Sequence, residues 1–415
     1  MLPNNWSCRP LHEVAEVRTG LAKGKTGLED PIELPYLRVA NVQDGHIDLS
    51  EVKTIAVERR HVERYSLKAG DILMTEGGDF DKLGRGAVWT APIPNCLHQN
   101  HVFSVRVNPD LVVPQFLSAL SGSEYGRGYF LSCAKRSTNL ASINSSQLKA
   151  FPVLLPPLVE QRRIAQILST WDQAIATAEQ ILTNSQRCTR DLMASILSGY
   201  RRFPGFTGKW RYVDLDTVFE RVTRKNSTQN TNVLTISGER GLISQRDYFN
   251  KSVASANLSG YTLLHRYDFA YNKSYSSGYP MGAIKPLMAY DAGVVSSLYL
   301  CFKLREDVDA DFDFFRHYFE AGLLNQEIEG IAQEGARNHG LLNVSVTDFF
   351  KLKLQIPTTP EQRRISEVIN VARSEEARLQ AQVQALRQEK SALMSQLLTG
   401  KRRVKLPDTE TEVQA

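Results

Sequence analysis

Two stretches of the chain carry apolar residues that step by four and three. In the first these are Ile164, Leu168, Trp171, Ile175, Ala178, Leu182, Leu192 and Ile196, with the polar Ser185 and Thr189 on the same seam. In the second they are Ile365, Ile369, Ala372, Leu379, Val383, Leu386, Leu393 and Leu397, with the charged Glu376 and Lys390 on the seam. A heptad stripe held over about five heptads predicts a coiled coil. Pro156-Pro157 and Pro360 stand just before the two stretches, and Gly199 and Gly400 just after them. Proline near a helix start and glycine past its end are the expected boundary signals. A helix of about 40 residues is about 60 Å long, and one helix cannot bury its own stripe. The expectation is that the two helices pack against each other, antiparallel. The alternative is that each lies on its own domain.

Elsewhere the helical period is lost. Short apolar runs such as Tyr36 to Val39, Ile72 to Met74, Val102 to Val105 and Leu298 to Phe302 read as strands, with Gly77-Gly78 and Gly84-Arg85-Gly86 as turns. Helices are expected near Pro114 to Leu120 and Phe314 to Glu329. Each globular part is therefore expected to be α+β, a mixed α/β domain with a mostly antiparallel sheet.

The two halves are copies of one unit. Glu160-Gln161-Arg162-Arg163-Ile164 recurs as Glu361-Gln362-Arg363-Arg364-Ile365, an offset of 361 − 160 = 201. The same offset pairs Leu192-Met193 with Leu393-Met394, Gly199 with Gly400, and Arg201-Arg202 with Arg402-Arg403. Upstream, Leu140, Ile143, Leu148, Val153, Leu155 and Pro156 align with Leu341, Val344, Phe349, Leu354, Ile356 and Pro357. At slightly drifting offsets, Trp6 matches Trp210, Gly70-Asp71-Ile72-Leu73 matches Tyr267-Asp268-Phe269-Ala270, and Gly86-Ala87-Val88 matches Gly282-Ala283-Ile284. A fixed offset at both ends of a long stretch points to duplication. The predicted architecture is pseudo-two-fold symmetric. It comprises a first domain over 1–155, a long helix over 156–203, a second domain over 204–356, a long helix over 357–405, and a disordered acidic tail over 406–415.

Composition narrows the classes. The chain has 415 residues, too many for one ordinary domain. Fifty basic against 45 acidic side chains leave a net charge of +5, which permits a nucleic-acid partner without requiring one. Cys8, Cys96, Cys133, Cys188 and Cys301 form no CxxC pair, which reads as reduced thiols. No signal-peptide core or run of about 18 apolar residues is present, so a soluble, cytoplasmic protein with no membrane partner is expected.

Candidate chemistry is thin. Gly20 to Thr26 (GLAKGKT) is one residue short of a phosphate-binding loop and lacks both a leading buried strand and a following helix. His98 and His101 are three apart with no further ligands, so no metal site is expected. Pro156-Pro157 lacks the Asp or Asn and the aromatic that would flank it in an adenine-methyltransferase motif, and no nuclease carboxylate cluster is evident. No catalytic residue is assigned.

The strand Val153-Leu154-Leu155, then Pro156-Pro157-Leu158-Val159-Glu160-Gln161-Arg162-Arg163-Ile164, then a long helix, all occurring twice, resembles the specificity subunit of Type I restriction-modification enzymes, the HsdS family. The Gly70-Asp71-Ile72-Leu73 strand followed by a glycine-containing loop resembles that family's target recognition domains. The second junction departs from the first: Ile356-Pro357-Thr358-Thr359-Pro360 lacks the double proline. The resemblance implies that each globular domain reads one half of a split double-stranded DNA target. It implies that the helices set the distance between half-sites and dock two methyltransferase subunits, to which motor-nuclease subunits attach. Methylation with S-adenosylmethionine, and cleavage with ATP and Mg, would then belong to the partners, and this chain is expected not to be an enzyme. Because the two domains differ, the target should be asymmetric.

Candidate DNA-contacting residues lie in loops, where such roles concentrate. In the first domain they are Arg38, Asn41 and Gln43; Lys82 and Arg85; Gln99 and Asn100; and Arg136 and Asn139. In the second they are Arg240; Lys273 and Tyr275; and Arg337, Asn338 and His339. Arginine can pair with guanine O6 and N7, a carboxamide with adenine N6 and N7, and lysine can hold phosphate. Arg162-Arg163 and Arg363-Arg364 sit in the first helical turn, where the helix dipole disfavours cations, so a contact with the other helix's C-terminal end or with a partner subunit is expected. Two other readings remain open: a coiled-coil scaffold that binds proteins alone, and an enzyme using the GKT loop.

Overall fold

The computed structural model describes all residues except 1, 25, 79–82, 137–140, 239, 250–256, 277, 335–341 and 406–415, and gives backbone alone for 136, 249, 333 and 334. The predicted tail, Lys25 of the GKT loop and the candidates Lys82, Asn139, Arg337, Asn338 and His339 lie outside the described residues. The chain forms two compact units: residues 1–179 with 381–415, and residues 180–380.

In the first unit a four-stranded antiparallel sheet runs in the order Ala15–Thr19, Val102–Val107, Ile72–Thr75, Gly86–Val88. The inner strands are apolar on both faces, and every residue of Ile72–Thr75 is buried. Helices Pro114–Gly122 and Glu124–Cys133 cover one face, and Phe116, Leu120, Phe130 and Phe151 fill the core. The second of these helices had no signal in the apolar pattern. Gly86 is required here, because a Cβ would come within 1.8 Å of the Leu73 carbonyl oxygen. A smaller sheet joins Lys53–Glu58 to Pro31–Leu37, and the latter pairs in parallel with Leu97–His98. The run Tyr36 to Val39 is thus only half strand, since Val39–Asn41 is a 3-10 turn.

The second unit repeats the strand order as Phe219–Arg221, Leu300–Leu304, Phe269–Asn272, Ala283–Pro286. The helix expected over Phe314 to Glu329 is divided into Phe312–Glu320 and Asn325–Ile331, with Gly322 at a φ of +71° between them. The core is aromatic, built on Phe219, Phe269, Phe302, Phe314, Phe315 and Phe349. The expected strand at Leu298 starts two residues later, and Leu298 itself is exposed. Gly70 and Tyr267, matched in the repeat, both have positive φ, +90° and +76°. Each precedes a buried aspartate. Asp71 accepts from the Lys68 amide at 2.8 Å and from Arg106 at 2.7 and 2.6 Å. Asp268 accepts from the His265 amide at 2.7 Å and pairs with Arg224.

The long helices are Leu158–Leu197 and Thr359–Leu397. Their buried and half-buried positions follow the predicted seam, from Ile164 and Leu168 to Ile196, and from Ile365 and Ile369 to Leu397. Glu376 on the second seam is buried beside Arg373, at 2.9 Å. Within the first unit the segments run antiparallel. Lys390 pairs with Asp172, and Arg387 with Glu179 at 2.6 Å. Within the second, Arg373 meets the Met193 sulfur at 3.5 Å and Arg202 meets Glu361, again antiparallel. The expected antiparallel pairing therefore holds inside each unit. The helix ends also enter the domain cores. Ile164, Leu168, Leu397 and Leu398 belong to the first core, and Met193, Ile196, Leu197, Ile365 and Ile369 to the second. Each such side chain contributes about 1.5–3 kcal/mol of burial.

Candidate nucleic-acid interface

The repeated Glu-Gln pair fixes each helix to its domain. Gln161 is 1% exposed. Its Nε2 donates to the carbonyls of Leu111 and Pro156 at 2.9 and 2.8 Å, and its Oε1 accepts from the Val113 amide at 2.9 Å. Gln362 repeats this with the Pro357 carbonyl at 3.1 Å and the Asp311 amide at 2.9 Å. Glu160 accepts from Arg403 at 2.6 and 2.7 Å and from the Trp6 indole at 3.1 Å. Glu361 accepts from Arg202 at 2.8 and 2.7 Å. The contact expected of the arginine pairs is thus made chiefly by the neighbouring glutamates. Arg364 does lie over the Phe203 ring at 5.5 Å, and Arg363 pairs with Asp309 at 3.1 Å.

At the sheet end marked by Thr19, Thr75 and Val102, four segments of the first unit meet. The Gln99 amide donates to Leu37 O at 2.9 Å, Glu76 N to His101 O at 3.0 Å, Ile143 N to Glu76 O at 2.8 Å, and Gly45 N to Gly86 O at 3.1 Å. Gly77–Gly78 also pairs with Ala141–Ser142, which pairs with Lys135–Arg136. The loops carrying Arg38 to Gln43, Arg85, Gln99-Asn100 and Arg136 therefore form one surface.

Their side chains are not equally available. Asn41, expected to contact DNA, is buried. Its Nδ2 donates to Asp48 O and Glu51 O at 2.9 and 3.0 Å, and its Oδ1 accepts from the Arg38 amide at 2.9 Å. This carboxamide shapes the turn and has no edge left to present. Gln43 donates to Ala40 O at 2.6 Å and is half-buried. Arg38 donates to Glu51 O at 3.2 Å and pairs with the Glu51 carboxylate, while its Nε and that of Arg85 are buried without a partner among the described residues. Gln99 and Asn100 are half-buried, and of Arg136 only the backbone is described.

In the second unit the corresponding segments also meet. Hairpin Leu234–Ser237/Gly241–Ser244 carries the exposed Arg240 at its tip. The Tyr279 hydroxyl donates to Gly238 O at 3.0 Å, and the Leu342 amide donates to Lys273 O at 3.0 Å. Lys273 is half-buried and Tyr275 is 65% exposed.

His98 and His101 turn to different partners. His98 is buried, with Nδ1 against Val102 O at 2.7 Å, and burial holds its pKa below the ordinary 6.5. His101 pairs with Glu76, a contact the sequence did not signal. No group of three or more metal-ligating side chains occurs among the described residues. The glycine loop after Thr19 leads into strand Pro31–Leu37, so its glycines do not open a helix whose N-terminus could cradle a phosphate. Gly20 serves close packing there: a Cβ would lie 2.0 Å from His98 O. No described helix is long and apolar enough to cross a membrane.

Each unit is thus a sheet domain whose loops gather at one end and whose core takes in the ends of the long helices. Residues 3–184 match the Type I restriction modification DNA specificity domain. The chain is 29% identical over 199 residues to the putative type I restriction enzyme MjaX specificity subunit of Methanocaldococcus jannaschii, covering 48% of this chain and 46% of that protein. It is 26% identical over 212 residues to the type I restriction enzyme EcoKI specificity subunit of Escherichia coli, covering 49% and 44%. The matched stretch spans less than half the length of these curated relatives. In fold it is similar to the crystal structure of the HsdS subunit from Thermoanaerobacter tengcongensis, with a TM-score of 0.53 at 18% identity over 97% of this chain and 98% of the other.

Proposed function

We propose that this chain is the non-catalytic DNA-reading subunit of a Type I restriction-modification complex, each unit reading one half of an asymmetric, divided target. The observation that carries the reading is the gathering, in each unit, of several candidate loops at one place on the domain. Of the candidates, Arg38, Gln43, Arg85, Gln99, Asn100, Arg240, Lys273 and Tyr275 are the described side chains we assign to the DNA surface. Asn41 is assigned to the scaffold.

The long helices set the gap between half-sites and dock two methyltransferase subunits, and motor-nuclease subunits join that core. S-adenosylmethionine, ATP and Mg serve the partners. The test is binding of the purified chain to duplex DNA at a series of salt concentrations. The expected result is an affinity that falls linearly on log–log axes with added salt and exceeds that for a scrambled duplex. Equal affinity for every sequence would leave the protein-binding scaffold as the better reading.

A further inference from the structure

Lys285 occupies an unusual place. It lies in strand Ala283–Pro286 and is 6% exposed, yet the position that strand register matches to it in the first unit is the small, buried Ala87. An ammonium taken out of water is costly unless every proton finds an acceptor. Here the Nζ donates to Gly238 O at 3.0 Å and to the Tyr279 hydroxyl at 2.7 Å, and it pairs with Glu320. It also stands 4.7 Å from the centre of the Tyr279 ring. The Tyr279 hydroxyl donates to Gly238 O, or to Glu320 Oε1 at 2.9 Å. The acceptors come from three places: the hairpin tip at Gly238, the loop that bears Tyr279, and the end of helix Phe312–Glu320.

Those elements are pressed together. A Cβ on Gly238 would meet the Tyr279 ring at 3.0 Å. A Cβ on Gly282, whose φ is +77°, would meet Asn272 O at 2.3 Å. An apolar side chain would sit there with no desolvation cost, as Ala87 does in the other unit. What lysine adds is a directional tie between the two loops that carry Arg240, Lys273 and Tyr275. We propose that Lys285, with Tyr279 and Glu320, is a positioning residue of the second unit's reading surface, holding Arg240 and Tyr275 in one register on DNA. This rests on the DNA-reading function proposed above. A misplacement of about 1 Å is enough to cost a recognition contact much of its value.

The test is selection of binding sequences from a random duplex pool by the full chain, with calorimetry of each variant. The wild type should enrich a two-part sequence. Lys285→Met should weaken enrichment of one part by about tenfold, the worth of roughly one good base contact, and leave the other part unchanged. Lys285→Arg should restore most of that loss, which filling the core alone would not do. If Lys285→Met unfolds the second unit, Tyr279→Phe decides: it keeps the ring and removes one hydroxyl, and should lower the same part's enrichment. Undiminished enrichment of both parts by folded Lys285→Met, or by Tyr279→Phe where the former unfolds, overturns the positioning role alone. A wild type that enriches no sequence overturns the DNA-reading function and this proposal with it.

Discussion

Gln161→Leu isolates the anchor between helix and domain. Leucine has similar bulk, so little cavity opens, and the change is chiefly the loss of three hydrogen bonds at a residue 1% exposed. Each is worth about 1 kcal/mol net, and the amide and carbonyls left behind raise the cost, so the loss is about 3 kcal/mol or more. For a unit of this size, 1 kcal/mol shifts the midpoint by about 2–4 °C, so the first unit's melting should fall by about 6–12 °C in scanning calorimetry. The matched Gln362→Leu removes two bonds, so its effect on the second unit should be about two-thirds as large. Gln161→Glu keeps the acceptor for the Val113 amide but turns a carboxylate toward two carbonyls, and should be worse than leucine. A Gln161→Leu protein that melts within about 2 °C of wild type would refute the reasoning.

Arg403→Ala should cost the first unit about 1–2 kcal/mol in urea unfolding, because it strands the buried Glu160 carboxylate with the Trp6 indole alone; Arg403 is 44% exposed, and solvent screening keeps the loss below that of a fully buried pair. Glu160→Gln in the Arg403→Ala background should recover part of that loss. His98 and His317 are both held below the ordinary 6.5, chiefly by burial. A depressed folded-state pKa gives stability that is present above about pH 6.5 and lost as pH falls through the depressed value. Unfolding followed from about pH 7.5 to 5 should therefore show each unit weakening below about 6.5, and His317→Gln should flatten the second unit's profile; an unchanged slope would count against the assignment. Gly86→Ala should prevent the first unit's sheet from closing, since its Cβ would collide with Leu73 O, and near-wild-type stability of that variant would contradict the strand geometry.

The long helices and their junctions were legible because they rest on repetition: identical strings at one offset, with a seam whose period survives even where Ser185, Thr189, Glu376 and Lys390 interrupt it. What Glu160 and Gln161 do was not legible. Their partners, Arg403 and the 111–113 backbone, are distant in sequence. The candidate loops could be placed but their side chains could not be sorted. Asn41 looks like a base reader by residue type, yet a three-residue turn uses all of its amide. Lys285 is the reverse case, a charged residue in a short strand whose burial only the tertiary fold decides.

Divided recognition is tested most directly by sequencing modified adenines in DNA from cells that carry this chain with a candidate methyltransferase subunit. The expected result is a single asymmetric motif in two parts separated by unspecified bases, with exchange of residues 1–155 for those of a relative altering one part alone. Modification at an undivided sequence, or an exchange that changes both parts, would contradict it.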